Sequence, residues 1–196
     1  MQFDSLLGAL KTGKIDVIIS GMTTTPERKK EVDFTEPYMM TNNVMLVKKS
    51  DKNKYKDLKD FTGKKIAAQK GTDQEKIAHN EIKDSQVSSL NRLPESILAL
   101  KSGKVVGTIV EKPVGEAYLK QIPDLAFADV TFYEEKKPTC IAVPKNSPIL
   151  LKHLNQTIDE LNNKNLIDKY MNQAAQDMQD DGNFFTKYGS FFIKGI

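Results

Sequence analysis

The fold is decided by one stretch, Gly21-Met22-Thr23-Thr24-Thr25-Pro26-Glu27-Arg28, which joins an apolar run to the start of a helix. The preceding run, Ile15–Ser20, is rich in isoleucine and valine and predicts a buried strand. Thr25 suits the N-cap of the helix, and Pro26 suits its first turn. A strand that leads through a loop into a helix indicates an α/β architecture.

The same loop is a candidate anion site. The guanidinium of Arg28 and the N–H groups at a helix start both suit a carboxylate. Open α/β sheets bind their ligands beyond the carboxyl ends of their strands, which is where this loop would lie. A polar turn beside a solvated arginine accounts for the same residues, so the spacing alone leaves both interpretations open.

A longer segment, GMTTTPERKKEVDFTEPYM from Gly21 to Met39, closely resembles the signature of the polar amino-acid solute-binding proteins of ABC importers. Four later pieces follow in that family's order: LVKKS, KKIAAQKGT, LALKSGKVVGTIVEKPVGEAY and TCIAVPKNSP. The resemblance extends to about Gln179. It implies an α/β fold of the periplasmic-binding-protein-like II class, a two-lobed Venus flytrap with a hinge of two crossing strands.

The resemblance also implies a division of the chain. Residues 1–48 would form the first part of lobe 1, residues 49–139 lobe 2, and residues 140–180 the hinge return with the last helices of lobe 1. Residues 181–196 would be a tail or a linker toward a membrane domain, such as a fused permease. The chain opens directly in a helix, so we expect an N-terminal part of lobe 1 to be missing, together with a ligand-facing aromatic residue and any export signal. Exposed strand edges would then favour self-association.

The resemblance assigns the ligand carboxylate to Arg28. The backbone N–H and hydroxyl of Thr23 would assist it, together with Thr72 across the cleft. Thr72 follows a predicted strand, Lys65–Ala68, and suits the N-cap of a second helix. Alone, such a threonine is as well explained by capping.

The ligand ammonium group is assigned to Glu111, which follows the predicted strand Val105–Val110. The carbonyl of Gly21 and the hydroxyl of Thr23 would be further acceptors. The family more usually has Asp at this position, and Glu111 keeps the charge on a side chain that is one methylene longer. A surface ion pair with Lys112 or with another neighbour is the alternative interpretation.

Two further residues bear on selectivity. By resemblance, Gln69 would face the ligand side chain, and Tyr38 either closes the rim of the site or packs as a surface aromatic. Glutamine, glutamate, arginine, lysine, histidine and cystine all remain open as ligands. The implied partner is an ABC permease subunit or a fused permease domain, and the implied location is extracytoplasmic, tethered to the membrane.

Periodicity predicts further elements. Leucines at helical spacing predict a helix from Asp4, as its cap, to about Thr12, with Gly13 ending it. Another helix is predicted from Pro94 to Lys101, with Ile97, Leu98 and Leu100 facing inward. The segment Ala9–Ile15 resembles Ala99–Val105, which suggests one topology repeated in two lobes. Further strands are predicted at Val44–Val47, Gln86–Leu90 and Thr139–Pro144, and further helices at Pro113–Lys120, Leu150–Lys164 and Asn165–Gln176.

Composition limits the function. The chain has 196 residues, 39% of them hydrophobic, and its 29 basic and 26 acidic residues are interspersed, which does not indicate nucleic-acid binding. The single cysteine, Cys140, and the two distant histidines indicate neither an internal disulfide nor a metal site, and no cofactor is implied. No catalytic set is visible, so a binding protein is expected rather than an enzyme. A sensor or receptor domain is the alternative, and a dehydratase of small cyclic acids is a more remote one.

Overall fold

The computed structural model describes residues 1–133 and 136–180, with side chains as far as Asp177. The predicted tail at 181–196 lies outside the described residues. The strands are β1 (Asp33–Thr41), β2 (Asn43–Lys48), β3 (Lys65–Gln69), β4 (Gln86–Leu90), β5 (Gly107–Glu111), β6 (Leu125–Phe127) and β7 (Lys137–Val143). The helices are α1 (Leu6–Lys11), α2 (Pro26–Glu31), α3 (Asp73–Asn80), α4 (Leu93–Lys101), α5 (Lys112–Gln121), α6 (Pro148–Asn163) and α7 (Leu166–Asp180), with short 3-10 helices at Phe3–Ser5, Lys49–Lys54 and Leu58–Phe61.

The chain divides into two compact units. Of the described residues, unit 1 contains Met1, Ser5–Thr41 and residues 137–180, and unit 2 contains Gln2–Asp4, residues 42–133 and Lys136. These boundaries differ from the expected ones after residues 48 and 139. The reason is strand pairing: β2 forms its hydrogen bonds with β5 and β6 in unit 2, whereas all of β7 pairs with β1 in unit 1.

Unit 1 is built on a two-stranded antiparallel sheet of β1 and β7. Residue pattern alone did not predict β1, because Pro37 lies within it and cannot donate to a ladder. The register shifts on both sides of Pro37, which accommodates the missing N–H. The amphipathic helix α6 packs on this sheet through Ile158, against Ile141 and Val143.

Unit 2 is built on a five-stranded sheet in the order β4-β3-β5-β2-β6. β3 is parallel to both β4 and β5, and β2 is antiparallel to β5 and β6. Side chains alternate between two apolar clusters, so both faces of the sheet are covered. One cluster contains Met45, Ile66 and Ile109, and the other contains their chain neighbours Leu46, Ala67 and Val110.

The predicted strand at Ile15–Ser20 is wrong, because this segment forms no ladder. Ile18 makes an isolated antiparallel bridge with Ala142, and Thr23 makes another with Thr139. The five residue steps from Ile18 to Thr23 therefore lie opposite only three steps on β7, from Ala142 to Thr139. The additional residues bulge outward around Gly21, whose φ of +62° is in the left-handed region that favours glycine.

The segments that resemble each other in sequence end their helices in the same way. Gly13 and Gly103 have φ values of +68° and +75°, as expected for glycines that end helices. In both, the glycine N–H donates to the leucine carbonyl and the next lysine N–H donates to the alanine carbonyl. The four N···O distances are 3.1 Å for Gly13–Leu10, 2.9 Å for Lys14–Ala9, 3.1 Å for Gly103–Leu100 and 2.9 Å for Lys104–Ala99.

Two details of the predicted helices are wrong. Asp4 does not cap α1: the N-cap is Ser5, without a side-chain cap hydrogen bond, and the Asp4 carboxylate instead lies 3.3 Å from the ammonium of Lys70. Leu98 is 66% exposed, whereas Ile97 and Leu100 are buried. Residues three apart share a helix face, and Leu98 lies about 100° away from Ile97 around α4.

Candidate functional site

The six predicted ligand-binding residues fall into two groups, one in each unit. In unit 1, α2 begins as predicted: Oγ1 of Thr25 accepts a hydrogen bond from the Arg28 N–H at 3.2 Å, and Pro26 lies in the first turn. This cap fixes where Arg28 lies on the helix, one turn after the bulged loop.

Arg28 is a buried cation with a fixed orientation. Its side chain is buried, and its Nη1 donates to both the carbonyl oxygen of Thr23, at 2.9 Å, and the Thr23 Oγ1, at 3.0 Å. A buried guanidinium is costly unless its donors are hydrogen-bonded, so Thr23 both stabilises and orients it. The solvated-arginine interpretation is therefore wrong for Arg28.

Gly21 is anchored by Tyr38. The Gly21 N–H donates to the hydroxyl oxygen of Tyr38 at 3.1 Å. The Tyr38 ring packs against the apolar cluster of Ile141, Val143 and Ile158. Of its two interpretations, Tyr38 thus fits the packed aromatic, and its polar end holds the bulged loop.

In unit 2, Thr72 joins the end of β3 to the start of α3. Its Oγ1 accepts from the Glu75 N–H at 3.3 Å, which confirms the predicted N-cap, and donates to the Gln69 carbonyl at 2.6 Å. Gly71, with φ +78°, donates its N–H to Oε2 of Glu75 at 2.8 Å. The Gln69 amide in turn donates to the Asn91 carbonyl at 3.3 Å.

Glu111 ends β5 immediately before α5 and is partly buried. Lys112, its alternative partner, instead lies 3.9 Å from Glu116 one helical turn on. Burial raises the pKa of Glu111 from 4.5 to about 7, and the negative charge of Asp73 adds to this rise.

Asp73 is a buried acidic residue near Glu111 that sequence reasoning did not single out. An acidic residue in the first turn of a helix is ordinary, so nothing in the sequence distinguished it. The structure buries it to 6% exposure at the start of α3. The next residue, Gln74, donates to Oδ1 of Asn43 at 2.8 Å, and Asn43 lies directly opposite Glu111 in the β2–β5 pair.

The residues of unit 2 share one edge of its sheet. β3 and β5 are parallel neighbours, with Ala67 paired to Thr108, so Gln69 and Glu111 both lie at strand carboxyl ends. This is the edge at which open α/β sheets bind ligands. Within residues 1–133 and 136–180, no group of acidic, histidine and cysteine side chains is arranged to hold a metal ion.

Comparisons with known proteins show the family of the chain. Residues 1–177 match the bacterial extracellular solute-binding proteins, family 3. The chain is 42% identical over 134 residues to a probable histidine-binding protein of Campylobacter jejuni, covering 68% of this chain and 50% of that protein. It is 34% identical over 185 residues to an arginine-binding extracellular protein of Bacillus subtilis, covering 93% of this chain and 65% of the relative.

A solved structure has the same fold. It is an amino acid ABC transporter substrate-binding protein from Streptococcus pneumoniae bound to L-arginine, with a TM-score of 0.89 and 36% identity over 92% of this chain and 76% of that one. The chain therefore belongs to family 3 of the bacterial extracellular solute-binding proteins, and its fold is the two-lobed α/β type II periplasmic-binding-protein fold.

The resemblance found in the sequence is thus confirmed, as is its expectation of a solute-binding protein rather than an enzyme. The chain spans between half and about two thirds of the length of these two curated relatives. In the part of the chain that the structure describes, no helix has the length and apolar character needed to cross a membrane.

Proposed function

We propose that this chain binds a polar L-amino acid with the two groups of residues described above, and that the ligand is passed to an ABC permease outside the cytoplasm. Arg28 binds the ligand carboxylate, and Glu111 binds the ammonium group. Gly21, Thr23 and Thr72 supply further hydrogen bonds to these two ends, and Gln69 faces the side chain.

The observation that carries this proposal is the buried Arg28 held by Thr23. Two hydrogen bonds donated by Nη1 to Thr23 hold the guanidinium in one orientation, which suits a bidentate contact with a carboxylate. Because Thr23 already holds the Arg28 side chain before the ligand arrives, little side-chain entropy would be lost on binding.

The second support comes from Glu111. An amino acid presents a carboxylate and an ammonium group together, and its recognition needs an acceptor of negative charge besides the arginine. Glu111 lies at the carboxyl end of a parallel strand, and a cation bound beside it would lower its raised pKa. The related proteins named for histidine and arginine fit this chemistry.

The test is calorimetric titration of the chain with six L-amino acids: glutamine, glutamate, arginine, lysine, histidine and cystine. At least one is expected to bind. Arg28→Ala removes a charge-assisted contact and should weaken that binding by about a hundredfold or more. Arg28→Lys keeps the charge but loses the fork of donors, so we expect an intermediate loss of about tenfold.

The matched control is Lys29→Ala, which removes an exposed cation from the neighbouring position of the same helix. It should leave affinity within about twofold of the unaltered chain, as expected for an exposed charge. Equal affinity in Arg28→Ala and Lys29→Ala would contradict the role assigned to Arg28. Absence of binding by all six amino acids would contradict the proposed function itself.

A further inference from the structure

The lysines of unit 2 are concentrated at one edge of its sheet. β3 and its parallel neighbours β4 and β5 begin at this edge, and β2, which is antiparallel to β5, ends there. It is the edge opposite to the one at which Gln69 and Glu111 lie. We call it the basic edge and define it by the four segments that form it, residues 48–65, 81–85, 101–106 and 122–125.

The basic edge carries a larger positive charge than the whole chain. Its four segments contain 11 lysines and no arginine, against six aspartate or glutamate residues. This is an excess of five positive charges, whereas the whole chain has a net charge of +3. The rest of the chain is therefore slightly negative, and the positive charge of the protein is gathered at one place.

Most of these lysines are exposed and form no ion pair within the described part of the chain. Lys54 lies 2.6 Å from Asp51, and Lys59 lies 3.6 Å from Asp57. The other nine lysines of the basic edge make no ion pair with any residue that the structure describes. Eight of these nine are exposed, and Lys48 is half-buried. Their charges therefore face solvent and are available to an external anionic surface.

The charges are close enough together to act as one surface. Neighbouring strands lie about 4.8 Å apart, so the starts of β4, β3 and β5 and the end of β2 span about 14 Å. Lys83, Lys64 and Lys104 lie within three residues of those three starts. The Nζ of Lys48 would lie 3.2 Å from a Cβ placed on Gly103, so the end of β2 adjoins the segment 101–106. This span is less than two Debye lengths of about 8 Å each at physiological ionic strength.

We propose that the basic edge binds anionic lipid headgroups and so holds unit 2 against a membrane surface. This inference goes beyond the proposed function and does not depend on it. Ammonium groups on long flexible stems suit a fluid layer of phosphates, whereas a defined carboxylate or phosphate is better matched by the planar fork of arginine, which the basic edge lacks. None of the exposed large hydrophobic residues lies in the four segments, all of whose residues the structure describes, so the contact is electrostatic.

The test is cosedimentation of the chain with vesicles of phosphatidylcholine, either alone or with about one third phosphatidylglycerol. Binding is expected only with the anionic vesicles, and about 0.5 M salt should weaken it at least tenfold by screening. A variant removes four charges of the basic edge by the substitutions Lys64→Gln, Lys65→Gln, Lys83→Gln and Lys104→Gln. Each lysine near an anionic surface is worth about fivefold in partitioning, so this variant should lose about a hundredfold or more. Arginine at the same four positions keeps the charge and should keep binding within about threefold.

The matched control changes the net charge equally at four exposed lysines of unit 1, by the substitutions Lys30→Gln, Lys152→Gln, Lys164→Gln and Lys169→Gln. It should lose less than about threefold in binding to the anionic vesicles. Equal losses in the two glutamine variants would overturn the proposal, and so would equal binding of the chain to neutral and anionic vesicles. Binding to soluble polyglutamate but not to anionic vesicles would indicate an acidic protein partner and would also overturn it.

Discussion

Glu111 should destabilise the protein at neutral pH when no ligand is bound. Its pKa lies at about 7 in the folded chain, against an ordinary value of 4.5. Between pH 4.5 and about pH 7, Glu111 keeps its proton in the folded state and has lost it in the unfolded chain. The free energy of unfolding therefore falls as pH rises through this window, and Glu111→Gln, which does not titrate, should remove this part of the fall.

The size of the effect follows from the shift. A rise from 4.5 to about 7 corresponds to about 3 kcal/mol at most, since one pKa unit is worth about 1.4 kcal/mol. Glu111 keeps some contact with solvent, and screening lowers the expected gain to about 1–3 kcal/mol. Glu111→Gln should thus be more stable than the unaltered chain at about pH 8 and nearly equal to it at about pH 5.

Urea unfolding followed by circular dichroism at these two pH values, without ligand, would measure the difference. Glu116→Gln makes the same chemical change at an exposed position of α5, the helix that follows Glu111, and should show no comparable gain. A stability difference for Glu111→Gln that is the same at both pH values would refute the reasoning. If the variant is stabilised at about pH 8 yet binds amino acids as tightly as the unaltered chain, the stability argument survives and the binding role of Glu111 does not.

Two further substitutions test the loops that hold the site. Tyr38→Phe removes the acceptor of the Gly21 N–H and should lower the free energy of unfolding by about 1–2 kcal/mol; an unchanged denaturation midpoint would contradict the anchoring role. Gly71→Ala and Gly63→Ala both introduce a side chain at positive φ. At Gly71 the new Cβ would lie 2.8 Å from Cβ of Asp4, whereas at Gly63 nothing lies within 4 Å of the new Cβ. Gly71→Ala should therefore cost more than the roughly 1 kcal/mol expected at Gly63, and equal costs in the same urea titration would show that the Asp4 contact yields without strain.

Much of the fold was predictable from local sequence. Thr25 and Thr72 were predicted as helix caps, and both predictions are confirmed because capping depends on a few neighbouring atoms. The strands β3 and β4 were also predicted correctly from short apolar or alternating runs. The identities of the family and of its fold came from a long specific segment rather than from any single residue.

The predictions that failed concern residues whose structure depends on contacts with residues distant in the sequence. The run Ile15–Ser20 has the composition of a strand, but it meets β7 at Ile18 and bulges before Thr23, and composition does not reveal such a mismatch. β1 was missed because Pro37 is tolerated only where the register shifts. Asp73 was not singled out because an acid at a helix start is common on exposed surfaces, and only the folded chain shows that it is buried.

The two matching helix ends, at Gly13 and Gly103, show how little the local sequence determines the segment that follows a helix. The same local signal is followed by a bulged edge segment in one unit and by β5, a strand with neighbours on both sides, in the other. The glycine ends the helix in both units, but it does not determine the structure of the segment that follows. Peptides 6–20 and 96–110, cut from the chain, should therefore be indistinguishable in conformation, both largely unstructured in water. Their difference is acquired only from the rest of the polypeptide.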